Sequence, residues 1–174
     1  MEAFLKPLSL SASGMALSDN EIIGAIKTGQ FHIVPRNPKL NPAGIDLRAD
    51  RSLVLRPGQQ KLVATIERVE LSENFLGILH IRSSLAREGI VASLALVDPG
   101  FRGQLTVSLH NAGDRLVSLR KGERFIQLSL LRLGMPARHS YVGKYQNSRG
   151  VVNSRRRQMI RLRKMENVIQ GTRG

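Results

Sequence analysis

The sequence predicts an all-β domain of the sandwich, barrel or jelly-roll kind, and three observations predict it. After Gly29 the apolar residues stop recurring at helical spacing; they alternate or gather in short β-branched runs. Turn signals rich in Gly and Pro separate those runs at short intervals. No helical segment of useful length stands between successive runs, so the βαβ rhythm of a doubly wound sheet is missing.

In chain order the elements begin with a single helix. Ser18 or Asp19 suits its N-cap, and Glu21 lies in its first turn. Ile22, Ile23 and Ile26 form its apolar stripe, and Gly29 ends it. Strands are then predicted over 31–34, 45–49, 52–55, 62–71, 78–81, 104–110, 116–119 and 125–133. Pro35-Arg36-Asn37-Pro38, Pro57-Gly58, Pro99-Gly100, Gly113-Asp114 and Lys121-Gly122 punctuate them. A second, short helix is expected to start near Arg82.

The chain has 174 residues, 41% of them hydrophobic, which suits one domain with a real core. It lacks cysteine, which excludes disulfides, thiolate metal sites and a cysteine nucleophile. No apolar run approaches the ~18 residues of a membrane helix. Glu2 and the lone Lys6 make a poor secretory signal, so a cytoplasmic location is expected. Lys and Arg total 27 against 13 Asp and Glu, a net charge of +14 that points to a polyanionic partner. Half of that excess lies beyond Ser148, where eight basic residues face Glu166 alone. The expected organisation is an N-terminal extension over 1–14, a β domain over 15–148 and a basic C-terminal segment over 149–174.

Four segments carry candidate chemistry. In Ala43-Gly44-Ile45-Asp46-Leu47 the glycine permits close backbone approach, and Asp46 points opposite to its apolar neighbours. Taken alone, such an Asp reads as a solvent-facing strand residue. In Arg82-Ser83-Ser84-Leu85-Ala86-Arg87, hydroxyls at a helix start between two arginines suit a phosphate; an ordinary capping sequence is the alternative. Leu94-Ala95-Leu96-Val97 delivers Asp98 to a Pro-Gly turn with Phe101 beyond it. A carboxylate so placed can orient a water and take its proton, and Phe101 can pack on a sugar or base; an Asx-type turn with a core Phe is the plainer reading. Gln127 interrupts the apolar strand of Glu123-Arg124-Phe125-Ile126-Gln127-Leu128 and needs a partner.

In this order and at these separations the four segments resemble the dUTPase/dCTP deaminase family, over about 16–154. The opening Met15-Ala16-Leu17-Ser18 and the closing Lys144-Tyr145-Gln146-Asn147-Ser148-Arg149-Gly150 resemble the deaminase-like, archaeal-type branch. The resemblance implies a distorted jelly roll with a short N-terminal helix, assembled as a homotrimer with active sites shared between subunits. It implies hydrolysis of dUTP to dUMP and pyrophosphate. Asp98 would activate the water and lie near the 3′-hydroxyl, and Phe101 would pack on the deoxyribose. Backbone groups of Leu94, Ala95 and Leu96 would read the uracil. Arg82, Ser83, Ser84, Arg87 and Gln127 would hold the phosphates. Mg2+ would sit mainly on phosphate oxygens and touch Asp46 through water. Lys144, Tyr145 and Arg149 would close over the triphosphate, although Ser148 stands where the family's deaminases carry Gln.

The resemblance also supplies a discriminator. The family's deaminases carry a proton-shuttling glutamate on the strand after the Asp-Pro-Gly turn, and alignment on Gly103 and Asn111 puts Ser108 there. A serine hydroxyl cannot shuttle that proton at neutral pH. His110, two residues on, shares its strand face and reads as a polar strand residue. Deamination of dCTP, alone or combined with dUTP hydrolysis, is the first alternative. A non-catalytic nucleotide- or nucleic-acid-binding protein, using the basic tail, is the second; the tail holds no aromatic residue for base stacking.

Overall fold

The computed structural model describes residues 15–156. The proposed 1–14 extension and the basic cluster from 157 onward lie outside the described residues. Helix α1, Asp19–Lys27, comes first. Ser18 is its N-cap in a reciprocal capping box with Glu21: the Glu21 N–H donates to Ser18 Oγ (3.4 Å) and the Ser18 N–H to Glu21 Oε2 (2.9 Å). The Ser18 backbone and hydroxyl donors together hold the Glu21 carboxyl below its usual range. The buried stripe is Ile22 and Ala25, with Ile26 half-buried, while Ile23 faces outward at 37% exposure. The expected Ile22–Ile23–Ile26 stripe is thus narrower than three isoleucines, because adjacent helical positions diverge by about 100°.

Ten strands follow: β1 Phe31–Val34, β2 Lys39–Asn41, β3 Gly44–Arg48, β4 Leu53–Leu55, β5 Gln60–Leu71, β6 Phe75–Ile81, β7 Ile90–Ser93, β8 Arg102–Asn111, β9 Val117–Leu119 and β10 Arg124–Arg132. Helix α2, Ser83–Arg87, lies between β6 and β7. Strands pair in the orders β1-β5-β8-β7, β2-β3-β10-β6 and β4-β9, antiparallel throughout, which gives the jelly-roll type of fold. The inner faces of the two larger sheets, with Phe31, Phe75, Phe125, Ile45, Leu47 and Leu109, form one core.

Two strands escaped the sequence reading. β2 and β7 are short edge strands, too brief to show alternation, and pairing with β3 and β8 makes them strands. Asn111, wholly buried at the end of β8, donates to the Leu55 and Arg115 carbonyls (2.9 and 2.7 Å) and accepts from the Gly113 N–H (3.0 Å), which pins the turn into β9.

Candidate active site

Strand register builds the first group of site residues. Lys39 on β2, Asp46 on β3, Gln127 on β10 and His80 on β6 are successive cross-strand partners, so one polar row crosses the sheet. Asp46 is 5% exposed; Asn41 Nδ2 donates to its Oδ1 at 2.8 Å, and Arg82 Nε lies 3.8 Å from its Oδ2. Arg82 follows β6, and its N–H reaches the Phe125 carbonyl (3.2 Å) on β10. Gly44 is required here: a Cβ would stand 2.7 Å from Gln127 Nε2 and 2.9 Å from the Leu128 carbonyl. The close approach expected at Gly44 is therefore to Gln127 itself. Ser83 and Ser84 are exposed in the first turn of α2, and Arg87 is exposed in its last.

Sequence reasoning missed two neighbours. Arg48 shares the face of Asp46 on β3; its Nε donates to Glu67 Oε1 (2.6 Å) and its N–H to Glu67 Oε2 (2.7 Å). Glu67, 2% exposed, was readable, because it keeps the period-two phase of Val63, Val69 and Leu71 on β5. An acid in an inward phase demands a cation, and Arg48 is that cation.

The second group belongs to the turn before β8. Val97 bridges Gly77 of β6 through two 2.9 Å backbone bonds and hands the chain to an exposed Asp98. The turn closes with the Phe101 N–H on the Asp98 carbonyl (3.0 Å) and the Gly100 N–H on the Leu71 carbonyl (3.1 Å). Leu94 and Leu96 are 38% and 59% exposed on the preceding hairpin. Phe101 is 7% exposed and packs edge-on against Tyr141 at 5.7 Å, so most of its ring belongs to its own core.

The closing segment lies along β8. The Asn147 N–H donates to the Arg102 carbonyl (2.7 Å), the Gln104 N–H to the Ser148 carbonyl (2.9 Å) and the Gly150 N–H to Gln104 Oε1 (2.7 Å). A Cβ on Gly103, at φ +151°, would lie 2.9 Å from Ser148 N, so only glycine admits this contact. Gln146 joins the segment to the turn, donating to the Gly100 and Tyr141 carbonyls and accepting from the Arg102 N–H. The Arg155 N–H donates to the Tyr145 hydroxyl (3.2 Å) and lowers its pKa, with Lys144 and Arg155 cations beside the ring. Lys144 and Arg149 are exposed. Ser148 is buried, and its hydroxyl donates to the Tyr145 carbonyl, which turns the segment inward.

The two groups stand at opposite ends of β6. Asp98 adjoins the strand's Gly77 end, and Arg82 follows its last residue. At about 3.3 Å per residue the separation is roughly 16–20 Å. One cavity of 420 Å3 lies beside the turn, lined by His32, Glu70, Glu73, Arg102, Tyr141 and Gln146 among others. Another of 440 Å3 lies between Arg87, Glu88, Asp114 and Arg115. Neither is lined by Asp46, Asp98 or Gln127.

Ser108 sits half-buried on the outer face of β8, opposite Leu62 of β5 and Ser93 of β7. Its hydroxyl accepts a hydrogen bond from Gln60 Nε2 at 2.5 Å. His110 is exposed one step further along that face.

Residues 48–133 match a family model described as dCTP deaminase-like. The dCTP deaminase of Pyrococcus furiosus is 42% identical over 135 residues, covering 69% of this chain and 86% of its own. The chain belongs to the dUTPase/dCTP deaminase family. The dCTP deaminase of Pyrococcus horikoshii is 43% identical with the same coverage, and the dUMP-forming dCTP deaminase of Mycolicibacterium vanbaalenii is 33% identical over 81% of this chain and 95% of its own. The dUTPase of EIAV superposes with a TM-score of 0.54 at 22% identity, covering 66% of this chain and 98% of that one. The dUTPase of Staphylococcus bacteriophage 80alpha with dUPNHPP gives 0.55 at 19% identity, covering 68% and 95%. These structures share the fold. As a member of the dUTPase/dCTP deaminase family, the chain is an enzyme of nucleotide metabolism. No described helix is long and apolar enough to cross a membrane.

The donor set fits a metal held mostly by a family substrate. Among the described residues no three His, Asp or Glu gather as a metal cage. Asp46 already has partners for both oxygens, which suits contact with an ion through water rather than direct ligation.

Proposed function

We propose that this protein hydrolyses dUTP to dUMP and pyrophosphate, in homotrimers whose sites draw on more than one subunit. One observation supports the choice within the family: Ser108 stands where the resemblance puts the deaminating glutamate, and its neighbours Gln60, Leu62 and Ser93 include no carboxylate. Asp98, by contrast, stands exposed on its turn with room for a water.

In this reading the Asp98 carboxylate aligns a water on the α-phosphorus and takes its proton as the new P–O bond forms and the bond to pyrophosphate breaks. Arg82, Arg87, Ser83, Ser84 and Gln127 hold the phosphate oxygens against the growing charge. Asp46 would hold a Mg2+ ion through water, and the ion would supply charge withdrawal from the leaving pyrophosphate. Backbone groups of Leu94, Ala95 and Leu96 face the uracil, and the exposed edge of Phe101 meets the sugar. Lys144, Tyr145 and Arg149 close the triphosphate from solvent. The 16–20 Å between Asp98 and Arg82 along β6 supports a shared site, as one α-phosphate cannot meet both within a chain. The exposed Leu94 and Leu96 beside Asp98 support cover by a second subunit.

Purified protein is incubated with Mg2+ and dUTP, dCTP, UTP or dTTP, and pyrophosphate and ammonia are measured. Pyrophosphate from dUTP alone, abolished by Asp98→Asn, is the expected result; no turnover of any nucleotide defeats the enzyme reading. The similarity to dCTP deaminases favours a second reading, deamination of dCTP. Ammonia released from dCTP at an enzymatic rate establishes it.

A further inference from the structure

We propose that Gln146 is a positioning residue for the reaction: its side chain locks the closing segment to the Asp98 turn, so that the aim of the Asp98 carboxylate follows the seating of Lys144, Tyr145 and Arg149 on the triphosphate. The inference rests on the nucleotide reading above and deepens it, by naming what couples nucleotide contact to water activation.

Among the described residues no hydrogen bond holds the exposed Asp98 carboxylate, so the backbone of its turn sets its aim. One side of that turn is fixed by the end of β5: the Gly100 N–H donates to the Leu71 carbonyl at 3.1 Å and the Leu71 N–H to the Phe101 carbonyl at 3.0 Å. The other side is fixed from residues 140–147. The Tyr141 N–H donates to the Pro99 carbonyl at 2.8 Å and the Asn147 N–H to the Arg102 carbonyl at 2.7 Å. Between them Gln146 Nε2 donates to the Gly100 carbonyl at 2.8 Å and the Tyr141 carbonyl at 2.9 Å, while its Oε1 accepts from the Arg102 N–H at 2.8 Å. There is no clearance here, since a Cβ on Gly100 would stand 2.7 Å from the Ser140 Cβ. Beyond Gln146 the segment has its own anchorage on β8, with the Gly150 N–H on Gln104 Oε1 at 2.7 Å and the Val152 N–H on Thr106 Oγ1 at 3.1 Å. It does not need Gln146 to stay in place.

The contact asks for a nitrogen that donates twice and an oxygen that accepts, on one flat group, and a primary amide supplies both. A glutamate keeps the acceptor for the Arg102 N–H but sets oxygen against the Gly100 and Tyr141 carbonyls, and a lysine has no acceptor. The partners also fix which way the amide faces: flipped, it would point N–H at the Arg102 N–H and oxygen at the two carbonyls. Gln146 follows Tyr145 directly and Lys144 by two positions. A shift of those side chains onto the phosphates therefore pulls on Gly100 and Arg102, the residues on either side of Phe101. A displacement of about 1 Å at the reacting atoms costs about a hundredfold in rate.

The test compares Gln146→Met, which keeps the length and loses every polar contact, with Gln146→Glu, in full chains checked for native circular dichroism and assembly size. Turnover of dUTP and binding of its α,β-imido analogue are measured with Mg2+. kcat should fall about tenfold in Gln146→Met and about a hundredfold in Gln146→Glu, with analogue binding within about threefold of wild type. Lys144→Ala separates coupling from mere support. Alone it should lower both kcat and analogue binding; added to Gln146→Glu it should lower binding only, because the path to the turn is already cut. Unchanged kcat in both Gln146 variants, binding lost in step with kcat, or fully additive kcat losses overturns the coupling, and dUTP hydrolysis by wild type then leaves the hydrolase reading intact. If wild type binds the analogue but releases no pyrophosphate, the hydrolase reading falls and hydrogen exchange decides the coupling. The analogue should slow exchange over residues 99–102 in wild type and not in Gln146→Glu; equal behaviour of the two overturns it. No binding of the analogue overturns both.

Discussion

Asp46, Arg82 and Gln127 stand on or beside strands whose neighbours are dictated by hydrogen-bond register, whereas Asp98 stands on a Pro-Gly turn and residues 144–149 on a segment without regular structure. In the first region side chains are crowded by sheet geometry: Asp46 is 5% exposed and Gly44 leaves no room for a Cβ. In the second, Asp98, Lys144 and Arg149 are exposed, and single contacts such as Gln146 on the Gly100 carbonyl set the path. The sheet supplies a rigid, charged cradle suited to phosphates. The turn presents Asp98, the carboxylate proposed to activate water, with its surroundings left open by one chain. The crowded sheet and the open turn are thus kept apart within the chain, and the proposed assembly would bring them together.

The largest expected effect breaks the turn half alone. Asp98→Asn should lower dUTP turnover about a thousandfold while binding of the imido analogue persists, because the amide cannot take the water's proton. Equal loss of binding would mean that Asp98 holds the nucleotide rather than the water. The next test joins the halves. Asp98→Asn and Arg82→Ala chains, each inactive alone, should recover about a quarter of the wild-type sites when refolded together, since a shared site then sometimes draws intact residues from both. No recovery in verified mixed oligomers would place both residues in a single-chain site.

Stability experiments sharpen the contrast. Gly44→Ala should cost about 1–3 kcal/mol in urea unfolding, because the new Cβ collides with the Leu128 backbone. Glu67→Gln should cost about 1–3 kcal/mol, discounted from a fully buried pair because the Arg48 side chain is 39% exposed. It should also raise KM for dUTP more than it lowers kcat if Arg48 shapes the phosphate cradle. The smallest effect lies away from both halves. Ser18→Ala should cost about 1 kcal/mol by removing the cap of α1. Because Glu21 has a depressed folded pKa, its share of stability is complete above the usual glutamate range and lost as pH falls through the depressed value. The Ser18→Ala deficit should therefore shrink in acid; a deficit independent of pH would separate the cap from the Glu21 carboxylate.

Most strands were legible because alternation survives wherever one face is buried: Phe31–Val34 was read to the residue, and β8 and β10 within two. β2 and β7 were not, since three or four residues hold too little pattern and only pairing defines them. Candidate site residues were legible where an odd residue interrupts an apolar strand, as Asp46 and Gln127 do, and the structure makes those two cross-strand partners. Glu67 carried the same signal and was passed over; its partner Arg48 could not be found, because a pairing 19 residues away has no local trace.

By itself the amino-acid order determined the strand class, the capping of the first helix and the family, since these depend on local chemistry and spacing. Only the tertiary structure decided that Asp46, Gln127 and Arg82 converge while Asp98 lies at the far end of β6. Register and crossover connections set those distances, and they arise from burying two sheet faces against each other, a condition no single stretch of sequence expresses.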